Sequence, residues 1–373
     1  MTTAAAPCIS ADSHITEPPG TYVDRIDRRY RDRAPRLHRD ANAGDVMLID
    51  NDWYFVPMFL VAAAGRPAEE LSLTSGKTFD DLHRGGWDPQ ARLADQDVDG
   101  VAAEVIYPSV GMILCNHPDR DYQHACFDAY NRWLAEFCAH APDRLLGIGQ
   151  TALRSPDDGI ADLEAIRALG LRGVMLPGKP PGPDYDDPSW DPFWAACVDL
   201  GLPPSFHILT GGTDQLMSAS IRGPKINGFL TIIRGNQDVI GTMVFGGVFD
   251  RNPKLRIVCV EADAGWAPHY MYRMDHAYER HRNWLTAGEL SKPPSEHFRE
   301  HVYLTFQDDL VAFRMADLVN VERLLWANDF PHSDATWPHS QEVLAEHTAH
   351  LPDDVRAKIV GGNAAALYGI GSA

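Results

Sequence analysis

Short apolar runs, little interrupted by polar residues, recur along the chain and alternate with segments whose apolar residues return every three or four positions. The runs are PCISADSH (Pro7 to His14), AAEVIYPS (Ala102 to Ser109), LLGIGQTAL (Leu145 to Leu153), GVMLPG (Gly173 to Gly178), PPSFHIL (Pro203 to Leu209), RIVCVEAD (Arg256 to Asp263), HVYLTFQ (His301 to Gln307) and LLWANDF (Leu324 to Phe330). Near-continuous apolarity predicts strands covered on both faces. Helical periodicity falls between them, over Tyr122 to His140, Asp157 to Leu169, Pro192 to Leu200, Phe229 to Phe249 and Pro268 to Leu285. Strands alternating with helices in this way predict an α/β fold, the parallel (β/α)8 TIM barrel. An open doubly wound sheet is the alternative, although no glycine-rich phosphate loop follows the first strand.

The rhythm breaks once. From His14 to Ala102 the pattern is irregular and includes DVMLIDNDWYFVPMFL. So long a stretch between strands predicts a functional wall or lid. We place it at 18–90, as an insertion or lid within a single domain spanning 1–373, and expect Trp53 and Tyr54 to line a substrate pocket; an oligomer contact is the other reading of these aromatics. Thr210 to Gly228 forms a second long loop, and the tail from Pro352, PDDVRAKIVGGNAAALYGI, predicts a C-terminal helix that caps the barrel.

Composition narrows the function. The 373 residues carry 33 basic and 52 acidic side chains, a net charge of −19. Such a field opposes approach to nucleic acid or to an anionic membrane. No apolar run nears the roughly 20 residues that span a bilayer, and MTTAAAPCISADSH has neither the basic flank nor the apolar stretch of a secretory signal. Six cysteines are scattered without a CxxC pair, as expected of buried thiols in a reducing compartment. The expectation is a cytoplasmic protein, a homo-oligomer, that handles a small-molecule substrate.

In such a barrel the chemistry gathers at the C-terminal ends of the strands. Asp12 and His14 end the first strand and share a face, because side chains alternate with period two. Glu17 follows closely. His207 ends the fifth strand, Glu261 and Asp263 the sixth, and Asp329 the eighth, with His332 just beyond. Taken singly, a strand-end histidine is more often a hydrogen-bonded core residue, and Asp329 is a candidate helix cap. Their joint occurrence on one rim predicts a metal site built from Asp12, His14, Glu17, His207, Glu261, Asp329 and His332. No cysteine stands at these positions. The carboxylate-rich donor set suits manganese or iron better than zinc, with overlap, and is large enough for one or two divalent ions per chain.

The segments DSHITEP, YNRWLAEFCAHAPDRLLGIG, LGLRGVMLPG, GVFDRNPKLRIVCVEADAGWAPHYMYRMD, LLWANDFPHSDATWP and GGNAAALYG together resemble the amidohydrolase-2 branch of the metal-dependent amidohydrolase superfamily. The resemblance implies a metal-bearing barrel in which Asp12 and His14 match the first-strand metal pair and His207 the fifth-strand histidine. It also implies that Asp329 matches the eighth-strand aspartate that binds metal and moves protons, with His207 beside it in catalysis. Two features depart from the family pattern: Lys179 lies past the end of the fourth strand, which puts a bridging carboxylated lysine in doubt, and Glu261 stands where many relatives carry histidine. The function implied is a hydrolase or non-oxidative decarboxylase acting on a small organic acid, amide or ester. The alternative is a dinuclear non-haem iron monooxygenase, for which Glu17 and Glu261 would supply the additional carboxylates. A non-catalytic partner subunit on the same barrel is a third reading.

Overall fold

The computed structural model describes residues 7–211, 223–285 and 287–371. Eight parallel strands form one sheet in the order β1 (Ile9–His14), β5 (Ala103–Tyr107), β6 (Leu145–Gln150), β7 (Gly173–Leu176), β8 (Pro204–His207), β9 (Ile257–Val260), β10 (Val302–Phe306) and β11 (Leu324–Trp326). Every residue of these strands is buried. Their mostly apolar, non-alternating character therefore reflects cover by helices outside and by side chains within. The two edge strands meet beyond the last regular pairing, where His14 N–H donates to Phe330 O (2.7 Å) and Asp329 N–H to Asp12 O (3.0 Å). That closure makes a barrel and excludes the open doubly wound sheet.

The helices start and stop where the local chemistry directs. Helix Pro156–Ala168 is capped by the Ser155 hydroxyl, which accepts from Asp158 N–H, and has proline in its first turn. The apolar stretch expected as one helix over 229–249 is three pieces, Asn227–Thr231, Arg234–Phe245 and Val248–Arg251. Gly246 and Gly247 interrupt it, the latter left-handed at φ +69°. Of the long loop expected at 210–228, residues 212–222 lie outside the described residues.

The 18–90 segment is more regular than its sequence pattern indicated. It holds an antiparallel sheet of β2 (Arg36–Asp40), β3 (Gly44–Ile49) and β4 (Tyr54–Pro57), whose second turn places Asp50 and Asn51 in the left-handed region. An unanticipated helix, Pro89–Asp99, follows, with Asp88 accepting from Gln90 and Ala91 N–H and Gly100 ending it at φ +69°. The C-terminal cap is helical over Asp353–Ala357 and Asn363–Tyr368, joined by a π-turn. Asn363 donates to Leu324 O at the start of β11, and Gly361 packs on the Pro7 carbonyl just before β1. The cap thus closes the end of the barrel opposite the rim where the strands finish. All six cysteines are free and all but Cys8 are buried. Among the described residues no helix is long and apolar enough to cross a membrane.

Candidate metal centre

At the C-terminal mouth of the barrel the strand ends converge. Ligand atoms of Asp12, His14, His207 and Glu261 all lie within 4.8 Å of one another, as do those of His14, Glu261, Asp329 and His332. His14 Nε2 is 3.5 Å from Asp12 Oδ1, 3.4 Å from Glu261 Oε2 and 3.5 Å from Asp329 Oδ1. His207 Nε2 is 3.2 Å from Glu261 Oε2 and 3.7 Å from Asp12 Oδ1. His332 stacks on His14 with ring centres 3.8 Å apart and points Nδ1 at Asp329 Oδ1, 3.2 Å away.

The hydrogen bonds behind the imidazoles fix which nitrogens face the centre. His14 Nδ1 is 3.0 Å from Pro108 O, and His207 Nδ1 is 3.2 Å from Ile208 O. A carbonyl only accepts, so both Nδ1 atoms carry hydrogen and a neutral ring turns a bare Nε2 lone pair inward. Those two Nε2 atoms are 3.2 Å apart. Facing lone pairs repel, and the arrangement requires positive charge between them. Around them Asp12 and Asp329 leave both carboxylate oxygens buried without a hydrogen-bond partner, and Glu261 leaves Oε2 so. Orphaned buried carboxylates are costly unless a cation answers them. The donor set therefore fits a divalent metal, and the carbonyls behind His14 and His207 orient both rings.

The protonation tendencies agree. Burial drives Asp329 well above the ordinary carboxylate range, with His14 opposing that and Asp12 reinforcing it. Burial works the same way on Asp12, but His14 and His207 outweigh it and hold the carboxyl at about 2. For His14, burial favours the neutral ring, yet contacts with Asp12 and Glu261 raise its pKa well above the ordinary value. A proton retained within this cluster and a bound dication satisfy the same electrostatic demand. Burial, and then His14, push His332 down to about 3, so its ring stays neutral.

Backbone strain accompanies the carboxylates. Glu261, Asp263 and Asp329 adopt φ of +55°, +56° and +56°, a region that costs L-residues about 1 kcal/mol or more each. These residues follow the ends of β9 and β11, and Glu261 and Asp329 line the cavity at the mouth. Glu261 N–H is held by Thr305 Oγ1 at 2.8 Å. The ion-pair partners of its carboxylate are His14 and His207, and among the described residues it makes none with an arginine.

Two expectations are corrected. Glu17 stands apart from both groups of ligand atoms: its Oε1 accepts from Val110 N–H (2.9 Å) and Gly111 N–H (3.2 Å) after β5, while its Oε2 is buried without a hydrogen-bond partner. Trp53 and Tyr54 do not line the cavity at the mouth, which measures about 690 Å³. Trp53 instead packs on His117, ring centres 4.6 Å apart. The insertion contributes Leu60 and Val61 to the cavity wall, beside Met112 and Ile208, with Glu261, Asp329 and His332 at its floor. Lys179 is exposed.

Glu17 gives a pH prediction. Burial raises its carboxyl to about 7 from an ordinary 4.5. The folded state therefore prefers the protonated acid, and stability falls as pH rises from the unfolded pKa towards the folded one. The loss is roughly 3 kcal/mol across that window, from about 1.4 kcal/mol per pKa unit. Glu17→Gln keeps an acceptor for the two amides and removes the titration. Melting temperature measured from pH 4.5 to 7.5 should fall less steeply in this variant, and an unchanged slope would refute the assignment.

Sequence reasoning left several supporting residues unassigned. Ser109 Oγ donates to Ile15 O (2.7 Å) and lies 2.9 Å from His332 Nε2, which fixes that ring. Asn328 Oδ1 accepts from Ser10 and Ser13 hydroxyls at 2.9 and 3.0 Å, and Arg92 is wholly buried beneath the seam between β1 and β11. Asn328 and Ser109 stand at predicted strand ends, so position alone was a usable signal. Arg92 had none.

The amidohydrolase family model matches residues 11–370. A 2-amino-3-carboxymuconate-6-semialdehyde decarboxylase of Dictyostelium discoideum is 24% identical over 309 residues, 80% of this chain and 81% of that protein. A gamma-resorcylate decarboxylase of Rhodococcus jostii (strain RHA1) is 26% identical over 76% of this chain and 90% of its own. Among solved structures, an amidohydrolase from Mycobacterium avium subsp. paratuberculosis K-10 superposes with a TM-score of 0.79 at 22% identity, covering 98% of this chain and 100% of that one. A 5-carboxyvanillate decarboxylase of Novosphingobium aromaticivorans DSM 12444, complexed with manganese and 4-hydroxy-3-methoxy-5-nitrobenzoic acid, gives 0.70 at 18% identity, covering 98% and 96%.

Proposed function

The chain belongs to the amidohydrolase family of enzymes, and within it we propose a manganese-dependent, non-oxidative decarboxylase that removes CO2 from a small hydroxylated or amino-substituted unsaturated carboxylic acid. The observation that carries the metal part is the pair of inward Nε2 atoms, 3.2 Å apart, ringed by partnerless carboxylates. Both curated relatives described above are carboxy-lyases, which favours C–C cleavage over hydrolysis. They lend no support to the dinuclear iron oxygenase.

Asp12, His14, His207 and Glu261 would hold the metal, and Asp329 and His332 are grouped with His14 and Glu261 on its other side. When bound, it polarises the substrate carboxylate and an adjacent oxygen. The protein supplies the rest. The aliphatic side chains of Leu60, Val61 and Ile208 on the cavity wall would pack against the flat apolar face of the substrate. Asp329 carries the proton. As the carboxylate departs as CO2, the bonding electron pair stays on the substrate carbon, and an Asp329 carboxyl oxygen delivers its proton there. His332 Nδ1, 3.2 Å from Asp329 Oδ1, steadies that carboxyl between turnovers.

Metal-stripped protein reloaded with Mn2+ and given 2,6-dihydroxybenzoate, 5-carboxyvanillate or an aminocarboxymuconate semialdehyde should release CO2 from at least one of them in a sealed vessel without consuming O2. Oxygen uptake with a hydroxylated product, or ester or amide cleavage without CO2, would displace the reading.

A further inference from the structure

Arg92 has no exposed surface. A buried guanidinium needs a full set of partners, and its partners come from four separate segments. Nη1 donates to His14 O (2.7 Å) and to Gly85 O (3.2 Å), and Nη2 donates to Phe330 O (3.3 Å). Nε donates to the buried carboxylate of Glu104 on β5, and the guanidinium lies 4.6 Å from the Phe330 ring centre. Glu104 is in turn held by Gln96 Nε2 at 2.7 Å.

The location gives this network its meaning. β1 and β11 share no regular ladder, and the backbone bonds across that seam are the two at its C-terminal end, His14 N–H to Phe330 O and Asp329 N–H to Asp12 O. Three candidate ligands, Asp12, His14 and Asp329, sit on that seam. Arg92 grips the carbonyl of His14 and the carbonyl following Asp329 in one planar fork, and ties both to the end of the insertion through Gly85. Resting on the metal-centre reading above, we propose that Arg92 is a positioning residue for that centre: it fixes the ligand-bearing seam and thereby sets the affinity for the divalent cation. Lysine keeps the charge but not the fork, and one ammonium cannot span a carboxylate and three carbonyls from four segments.

The test is Mn2+ titration of metal-stripped full-length protein, read from the EPR signal of free Mn2+, alongside melting of the metal-free form. Arg92→Lys should weaken Mn2+ binding ten- to hundredfold, the range expected when a ligand loses its support. Glu104→Gln, which slackens the same fork, should shift it in the same direction by a smaller factor. Leu163→Ala, a buried change on the distant helix Pro156–Ala168, should lower the melting temperature and leave the Mn2+ Kd unchanged. Unchanged affinity in Arg92→Lys overturns the proposal, and so does an equal loss in Leu163→Ala, which would mark the effect as global. Should Arg92→Lys fail to fold, unchanged affinity in Glu104→Gln overturns it. An unmodified chain that binds no Mn2+ defeats the metal reading and this inference together. Mn2+ binding without CO2 release from any substrate defeats only the decarboxylase.

Discussion

Replacing either His14 or His207 with alanine should leave the purified protein with only traces of divalent metal and no CO2 release, while its far-UV circular dichroism stays that of the unmodified chain. The two imidazoles supply the inward nitrogens nearest each other, and each is oriented by its own carbonyl partner, Pro108 O for His14 and Ile208 O for His207. Neither substitution can be compensated by the other ring, because the distance between the two Nε2 atoms is already 3.2 Å and a cation between them uses both. Loss of supporting residues alone lowers metal affinity about 10- to 100-fold, so loss of a ligand should exceed a hundredfold. The fold should survive, since both rings stand at the mouth and the space left among carboxylates is polar enough to admit water. Metal content by elemental analysis decides the matter, and full occupancy in either variant would exclude that histidine as a ligand.

The barrel was legible because its strands are apolar on both faces, and each of the eight runs contains a strand of the sheet. Their ends were not. The patterns RIVCVEAD and LLWANDF predict strand to Asp263 and Phe330, yet the strands stop at Val260 and Trp326, with left-handed backbone following at Glu261, Asp263 and Asp329. Apolarity reports burial, not hydrogen bonding, so such a turn is invisible to it. The insertion hid its sheet for a related reason. Gly44–Ile49 is buried on both faces while its neighbour Arg36–Asp40 is largely polar, so neither shows the alternation of a half-buried strand.

Helix Pro89–Asp99 is the most instructive omission. Its start and stop signals, Asp88-Pro89 and Gly100, were present. Its buried face, however, is Arg92, Gln96 and Asp99, a helical spacing written in polar residues. A search for apolar periodicity passes over it. That same face carries the network beneath the metal centre, so the helix and Arg92 were missed together and for one cause. The strand-end carboxylates and histidines were legible because barrel geometry gathers any strand-end residue at one rim. Glu17 was the exception: a short turn past β1 was enough to direct its carboxylate to the amides of Val110 and Gly111.

Asp329→Asn should lower the rate of CO2 release by at least about a hundredfold, the contribution of a well-placed proton carrier, while metal is partly retained. The substitution is nearly isosteric, and asparagine tolerates the left-handed backbone at φ +56° better than most residues. Folding should therefore be little affected. The carboxamide keeps one oxygen that can face a metal, and its NH2 can donate to His332 Nδ1, which in the unmodified chain lies 3.2 Å from the carboxylate. What it cannot do is surrender a proton to carbon and recover it from solvent. A ligand role and a proton-carrying role separate under saturating metal. If Asp329 only holds the cation, excess Mn2+ restores turnover of the asparagine variant. If it carries the proton, the variant fills with metal and stays slow, and the loss falls on kcat rather than KM. Normal turnover by the variant would reduce Asp329 to a residue of the turn that follows β11.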